Sequence, residues 1–188
     1  TIGRESFYNC SNLISVSLNG EETVICDLAF SNCSNITDVI INGTIKSIGY
    51  DAFFYCENIK SITIPCDILQ IDDTAFCGCI SLKNINIVGN SVIFGNSVFM
   101  KCNNIESMSL PGNTKYLHRA LCDGTSGINI TILEGTKIIT NGAFSSCNEL
   151  INITIPNSVE YIGDFAFEKC DNLTSVVIPE SIKEIGTY

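Results

Sequence analysis

The chain has 188 residues, with 10 Lys plus Arg against 20 Asp plus Glu, which gives a formal net charge of −10 at pH 7. So acidic a chain has no general attraction for phosphates or anionic headgroups, and we expect no nucleic-acid partner and no direct membrane insertion in this segment. Hydrophobic residues make up 45% of the chain, which argues against disorder, and no apolar run is long enough for a membrane span.

A sequence repeat runs along the chain with a period of 23. Phenylalanine recurs at this spacing, with one gap of 45 that fits a unit shortened by a single residue, with Leu121 in the slot: Phe7, Phe30, Phe53, Phe76, Phe99, Phe144 and Phe167. The chain therefore contains about eight units, and the frame is degraded in the one from Pro111 to Gly127.

Each unit contains an apolar-x-x-apolar-x-apolar frame, for example Leu82-x-x-Ile85-x-Ile87. The alternation predicts a short strand with one buried face, and eight strands are predicted to begin near residues 14, 37, 60, 83, 106, 128, 151 and 174. One unit cannot bury its apolar side alone. The units are therefore predicted to stack into a single solenoid over residues 1–188, with a parallel sheet along one side.

An Asp or Asn stands shortly before the phenylalanine in five units, as Asp27, Asp51, Asp73, Asn141 and Asp164. Such a residue suits the N-cap of a single helical or 3₁₀ turn that carries the phenylalanine inward. We therefore predict such a turn before each of these phenylalanines.

Seven of the 11 cysteines share one slot, three residues after the phenylalanine, from Cys10 to Cys170. Neighbouring rungs would come within reach of a disulfide, but pairing would pinch the stack, so we predict a column of free, buried thiols. The chain has one histidine, and with Cys26, Cys66, Cys77 and Cys122 it does not make a convincing zinc ligand set. No metal or other cofactor is predicted.

The unit Ile162-Gly163-x-x-Ala166-Phe167-x-x-Cys170-x-x-Leu173-x-x-Val176-x-Ile178-Pro179 resembles the BspA-like class of leucine-rich repeats. The resemblance covers nearly the whole chain. It implies a curved right-handed coil with the sheet on its concave side and short turns or 3₁₀ segments opposite. It also implies a non-enzymatic protein, secreted or displayed on the surface of anaerobic bacteria or mucosal protozoa, that adheres to host cells, matrix or other microbes. Because the chain begins and ends in the same phase of the repeat, we expect a segment of a longer array.

Two surfaces are candidates for contact with a protein or glycan partner. The first is the outward side of the sheet, which is small, polar and nearly uncharged and has at its centre Ser61, Thr63, Asn84, Asn86, Ser107 and Ser109. The second is a patch in the degraded unit formed by Lys115, Tyr116, His118 and Arg119. The alternative to a binding module is a spacer that holds another domain away from the cell, with the polar side chains only solvating and bridging the sheet.

His118 and Cys122 are four residues apart, the spacing of a nucleophile and a base on a helix. No third group is evident to orient them, and no paired carboxylates converge elsewhere. We therefore do not predict an enzyme.

Overall fold

The computed structural model describes residues 1–65, 67–114, 117 and 127–187. The strands of this part of the chain are, in chain order, β1 (Ser15–Leu18), β2 (Thr23–Ile25), β3 (Asp38–Ile41), β4 (Ile45–Ile48), β5 (Ser61–Ile64), β6 (Gln70–Ile71), β7 (Asn84–Ile87), β8 (Ile93–Phe94), β9 (Ser107–Leu110), β10 (Ile128–Ile132), β11 (Ile138–Ile139), β12 (Leu150–Thr154), β13 (Tyr161–Ile162), β14 (Ser175–Val176) and β15 (Glu184–Ile185). Their ladders are parallel and join consecutive coils, which makes a β-solenoid.

The first row of strands contains the eight that the sequence predicts. β1 pairs with β3, and β5, β7, β9, β10, β12 and β14 form a continuous six-stranded sheet. Their first residues lie within one position of the predicted ones, so the prediction is confirmed. In β5, Ile62 and Ile64 are buried while Ser61 and Thr63 are exposed, as a period of two requires.

The second row is made of shorter strands that the sequence analysis did not predict. β2, β4, β6 and β8 form one sheet, and β11, β13 and β15 form another. These strands are two to four residues long, too short for alternation to be recognised as a pattern. Among the described residues, the second row is divided into these two sheets, one on each side of the degraded unit, while the first row continues through the pairing of β9 with β10.

The predicted capped helical turn is wrong. The coil of Phe53 instead makes four-residue turns at 49–52 and 53–56, closed by bonds from Ala52 N to Gly49 O (3.2 Å) and from Cys56 N to Phe53 O (3.2 Å), with a further bond from Phe54 N to Asp51 O (3.1 Å) between them. The third residue of each turn has a positive φ, 53° at Asp51 and 54° at Tyr55, which is the type II pattern.

The Asp and Asn side chains that were predicted to cap a helix join successive coils instead. Asp27 Oδ1 accepts a hydrogen bond from Tyr50 N at 3.1 Å, and Asp164 Oδ1 accepts one from Thr187 N at 2.9 Å. Asp51 does not share this repeat position, because one repeat of 23 residues leads from Asp27 to Tyr50; Asp51 is the third residue of its turn. Four of the five predicted residues, Asp27, Asp73, Asn141 and Asp164, therefore link successive coils along the turn side.

Stacked aromatic rings fill the core beneath these turns. The rings of Phe7, Phe30, Phe53, Phe76 and Phe99 lie nearly parallel, with centroids 5.1 to 5.9 Å apart. Phe53, Phe76 and Phe144 are fully buried, as predicted. The column is open at its first ring, since Phe7 is 42% exposed.

The repeat-slot cysteines form a second column beside the rings. Those from Cys33 to Cys147 are buried, whereas Cys170 is half-buried and Cys10 is exposed. Each thiol from Cys33 to Cys102 donates to the carbonyl of a phenylalanine in the preceding coil, for example Cys56 Sγ to Phe30 O at 3.2 Å. The slot therefore selects a residue that is small, apolar and still a weak donor.

Candidate functional site

The outward side chains of the first row form two columns along the six-stranded sheet. The first column consists of Ser61, Asn84, Ser107, Asn129, Asn152 and Ser175, which are register partners from strand to strand. The second column consists of Thr63, Asn86, Ser109, Thr131 and Thr154, which are likewise in register. The structure thus brings the six sheet residues nominated from the sequence onto one surface.

Hydrogen bonds run along the first column. Ser107 Oγ donates to Asn84 Oδ1 at 2.8 Å, and Asn152 Nδ2 donates to Asn129 Oδ1 at 2.9 Å. These bonds fix the side-chain orientations and use part of their hydrogen-bonding capacity. Bridging along the sheet, which the sequence left as the alternative to ligand contact, is therefore present in this column.

The second column differs in its bonding. None of its side chains hydrogen-bonds to another described residue. Thr63 is exposed, and Asn86 and Ser109 are half-buried. Because a hydroxyl both donates and accepts and an amide carries both kinds of group, this column keeps its full capacity for a partner.

Charge is confined to the margin of the face. Lys83 Nζ and Glu106 Oε1 form an ion pair at 2.7 Å, immediately before β7 and β9. The two columns themselves carry no ionisable group. A partner on this face would therefore meet neutral donors and acceptors rather than a field of one sign.

The second nominated surface lies outside the described residues. This applies to Lys115, Tyr116, His118 and Arg119, and also to Cys66 and Cys122. The basic contact patch of Lys115, Tyr116, His118 and Arg119 stays a prediction.

The buried thiols of Cys56 and Cys77 are poor nucleophiles. Burial raises the pKa of the Cys56 thiol to about 12 and that of Cys77 to about 11, so both are protonated near neutral pH. Within the described ranges, no three His, Cys, Asp or Glu side chains are grouped so that they could hold a metal ion.

Sequence reasoning missed a cleft beside β11 whose lining includes Asn113, Glu134 and Thr136. These residues lie in loops, where no period marks them. The signal available in the sequence was the loss of the repeat frame around Pro111, which indicates where the regular stack is interrupted.

The sequence profile of the BspA type leucine rich repeat region matches the chain over residues 1–128 and 119–188, in six copies. The chain belongs to this family. Leucine-rich-repeat domains are generally protein-interaction modules, and the BspA-type repeats form the solenoid described above. No helix in the described part of this chain is long and apolar enough to cross a membrane.

A solved structure shares the architecture. The T. pallidum leucine rich repeat protein (TpLRR) is 24% identical, with 85% of this chain and 78% of that one covered and a TM-score of 0.57. A leucine rich cell surface protein of Faecalibacterium prausnitzii is 21% identical over 92% of this chain and 69% of that one, with a TM-score of 0.47. No curated protein matches this chain significantly.

Proposed function

We propose that this BspA-type repeat region is a non-enzymatic adhesion module, displayed on a cell surface or secreted. Its partner is a protein or glycan of a host cell, of matrix or of another microbe. The observation that carries the proposal is the second column, a continuous line of polar side chains that the fold does not use. The proposed contact residues are Thr63, Asn86 and Ser109 of this column, together with Ser61, Asn84 and Ser107 of the first column, which use only part of their hydrogen-bonding capacity within the sheet.

The dimensions of the face suit a macromolecule. Six strands at about 4.8 Å spacing give a face roughly 24 Å long, which is comparable to a protein-binding patch. Because no aromatic or arginine side chain stands in the columns to serve as an anchor, affinity must come from many small contacts repeated along several rungs. A ligand that spans only one or two rungs should bind weakly.

The electrostatics of the face lead to a specific expectation. A neutral surface on a chain of net charge −10 offers little steering to a charged partner. Binding through the sheet face should therefore depend weakly on salt. Binding through the Lys115 to Arg119 patch, the second candidate surface, should fall steeply as salt screens its charges.

The experiment applies the 188-residue chain to immobilised matrix proteins, epithelial cells and bacterial surfaces at rising salt concentration. Saturable adhesion that changes little between about 50 and 500 mM NaCl, roughly a threefold change in Debye length, supports the sheet face. Adhesion that collapses over the same range assigns the contact to the basic patch. A folded chain that adheres to none of these surfaces is a spacer.

A further inference from the structure

The segment from Pro111 to Thr114, which follows β9, is bonded differently from the matching parts of the neighbouring coils. Elsewhere, a backbone N–H after the second row donates to an isoleucine carbonyl of the preceding second-row strand, as from Gly95 to Ile71 and from Gly163 to Ile139, both at 2.8 Å. Thr140 N instead donates to Gly112 O at 3.2 Å. The segment from Pro111 to Thr114 therefore occupies the place of a second-row strand.

This segment is recessed between the loops on either side of it. Pro111, Gly112 and Thr114 are buried, and Thr114 Oγ1 donates to Pro111 O at 2.6 Å. A Cβ at Gly112 would lie 2.5 Å from Thr136 Cγ2 and 2.8 Å from Ile138 O, so only glycine allows this approach. The flanking loops, by contrast, are exposed at Asn90 and Glu134.

The recess leaves a cleft of about 650 Å³ between these loops. This volume lies within the range of about 300–1,000 Å³ that is typical of small-molecule sites. Its apolar lining comes from Val88, Leu133 and Ile138. The polar lining includes Asn113, Glu134 and Thr136.

The polar lining indicates what kind of ligand fits. The side chains of Asn113, Glu134 and Thr136 make no hydrogen bond to another described residue. An apolar group in the cleft would strip water from these side chains without replacing its hydrogen bonds, which is unfavourable. A ligand with several hydroxyl groups would satisfy an amide, a carboxylate and a hydroxyl together, while its C–H surface packs on Val88 and Ile138.

The charges of the lining disfavour an anionic ligand. Glu134 is exposed and carries a carboxylate, whereas the Nζ of Lys137 is paired at 3.1 Å with Glu160. An acidic sugar would meet the negative charge without gaining a free positive one.

We propose that this cleft binds one or two sugar residues of a neutral glycan, which deepens the adhesion function proposed above and rests on it. The site is distinct from the sheet face and uses Asn113, Glu134 and Thr136 as hydrogen-bonding groups. The amide orients the sugar, and the carboxylate accepts from its hydroxyls. The sugar's apolar side packs on the aliphatic wall.

The test titrates glucose, galactose, mannose and N-acetylglucosamine separately into the ¹⁵N-labelled full chain and follows the amide signals of Asn113 and Thr136. At least one sugar should give saturable shifts at these residues with a Kd of about 1 mM, as expected for a ligand of this size. Asn113→Ala should weaken binding about fivefold, the effect of one lost hydrogen bond. Glu134→Gln keeps an acceptor oxygen but loses its charge, and should weaken binding about threefold because charge-assisted hydrogen bonds are stronger than neutral ones. Asn157→Ala, at an exposed loop position outside the cleft lining, is the matched control and should leave the Kd unchanged.

The proposal is overturned if no sugar gives saturable shifts, or if Asn113→Ala and Glu134→Gln bind as the wild type does. A blocked Val-Leu dipeptide that shifts the same signals at lower concentration would overturn the sugar assignment in favour of a peptide. Adhesion to cells that persists without any sugar shift rejects the cleft and leaves the adhesion function standing. Sugar shifts in a chain that adheres to no surface reject the adhesion function and retain the cleft.

Discussion

Gly163 and Asn141 illustrate how residues of successive coils depend on each other. A Cβ at Gly163 would lie 2.3 Å from Asn141 Oδ1, which accepts a hydrogen bond from Asp164 N at 3.1 Å. The same relation recurs between other pairs of coils, at Asp27 and Gly49, Asp73 and Gly95, and Asp164 and Gly186. Glycine in the Ile-Gly dipeptide therefore makes room for the acceptor of the coil before it.

This relation was readable in the sequence but was not recognised. In each of these pairs the glycine stands 22 residues after the Asp or Asn that accepts the hydrogen bond. Two coils have another residue in place of the glycine, Cys26 and Asp72, and the residues 22 positions before them are Arg4 and Tyr50, which are neither Asp nor Asn. A search for pairs across coils would have found this dependence. Reading each unit by itself assigned the Asp and Asn residues to a local cap instead.

Gly163→Ala should lower the free energy of unfolding by about 1–3 kcal/mol, because the new methyl group overpacks against the backbone and side chain of Asn141. The urea midpoint measures the change. Cys26→Ala is the control, because Cys26 occupies the repeat position of Gly163 but Arg4, and not an Asp or Asn, stands 22 residues before it. This change should alter the free energy of unfolding by less than about 1 kcal/mol. Equal losses in the two variants would mean that the inter-coil acceptor does not explain the glycine.

Thiol accessibility should differ sharply along the cysteine column. At pH 8, iodoacetamide should label Cys10 rapidly, since its side chain is exposed, and should leave Cys56 and Cys77 unlabelled until denaturant is added. Peptide mass mapping of the native protein provides the measurement. Rapid native labelling of Cys56 would show that the column is not core.

Stability should also fall at alkaline pH. Burial raises the pKa of Cys56 from its ordinary value of 9.0 to about 12, so its protonated form is favoured by folding. This contribution is complete below pH 9 and is lost as the pH rises from 9 towards 12. Unfolding midpoints should therefore decline above pH 9, and less steeply in Cys56→Ala. A midpoint independent of pH up to 10.5 contradicts the burial of the thiols.

At the scale of the element, the strongly periodic parts of the repeat were predictable and the short ones were not. Ile85 and Ile87 alternate with Asn84 and Asn86, and this pattern placed β7 within one residue. The Tyr161–Ile162 strand offers only one inward residue, which no alternation can identify. The positive φ at Lys101 and Tyr55 is likewise set by the stacking of turns rather than by local preference, because neither residue type favours it.

The phenylalanine column should be the main stabilising element of the turn side. Phe76 is fully buried, with ring centroids 5.2 Å from Phe53 and 5.9 Å from Phe99, so Phe76→Ala should cost about 3–5 kcal/mol. Phe7→Ala removes a ring that is 42% exposed and stacked on one side only, and should cost much less. Urea unfolding of both variants decides the matter, and similar losses would argue against a stacked core.

At the scale of the whole molecule, the regular repeat made the solenoid predictable. The partner depends instead on the outward side chains of the sheet and on the segment at Gly112 that departs from the repeat. Translation by one repeat places Thr63 beside Asn86 and continues the polar columns, and the period alone indicated this surface. The recessed segment at Gly112 departs from the period, so its cleft could be located only in three dimensions. Among the described residues, side-chain hydrogen bonds join members of the first column and none joins members of the second.

The most direct test of the account is adhesion of a chain in which Ser61, Thr63, Asn84 and Asn86 are all replaced by glutamate. These side chains point away from the core, so circular dichroism should remain close to that of the wild type. The urea midpoint should fall moderately, because the bond from Ser107 to Asn84 is lost and like charges face each other between β5 and β7. Ser91→Glu with Asn157→Glu, at exposed loop positions, serves as the control for added charge. We predict that the fourfold variant loses adhesion to cells and matrix while the control retains it. A folded fourfold variant that adheres as well as the wild type would contradict the assignment of the sheet face as the binding surface.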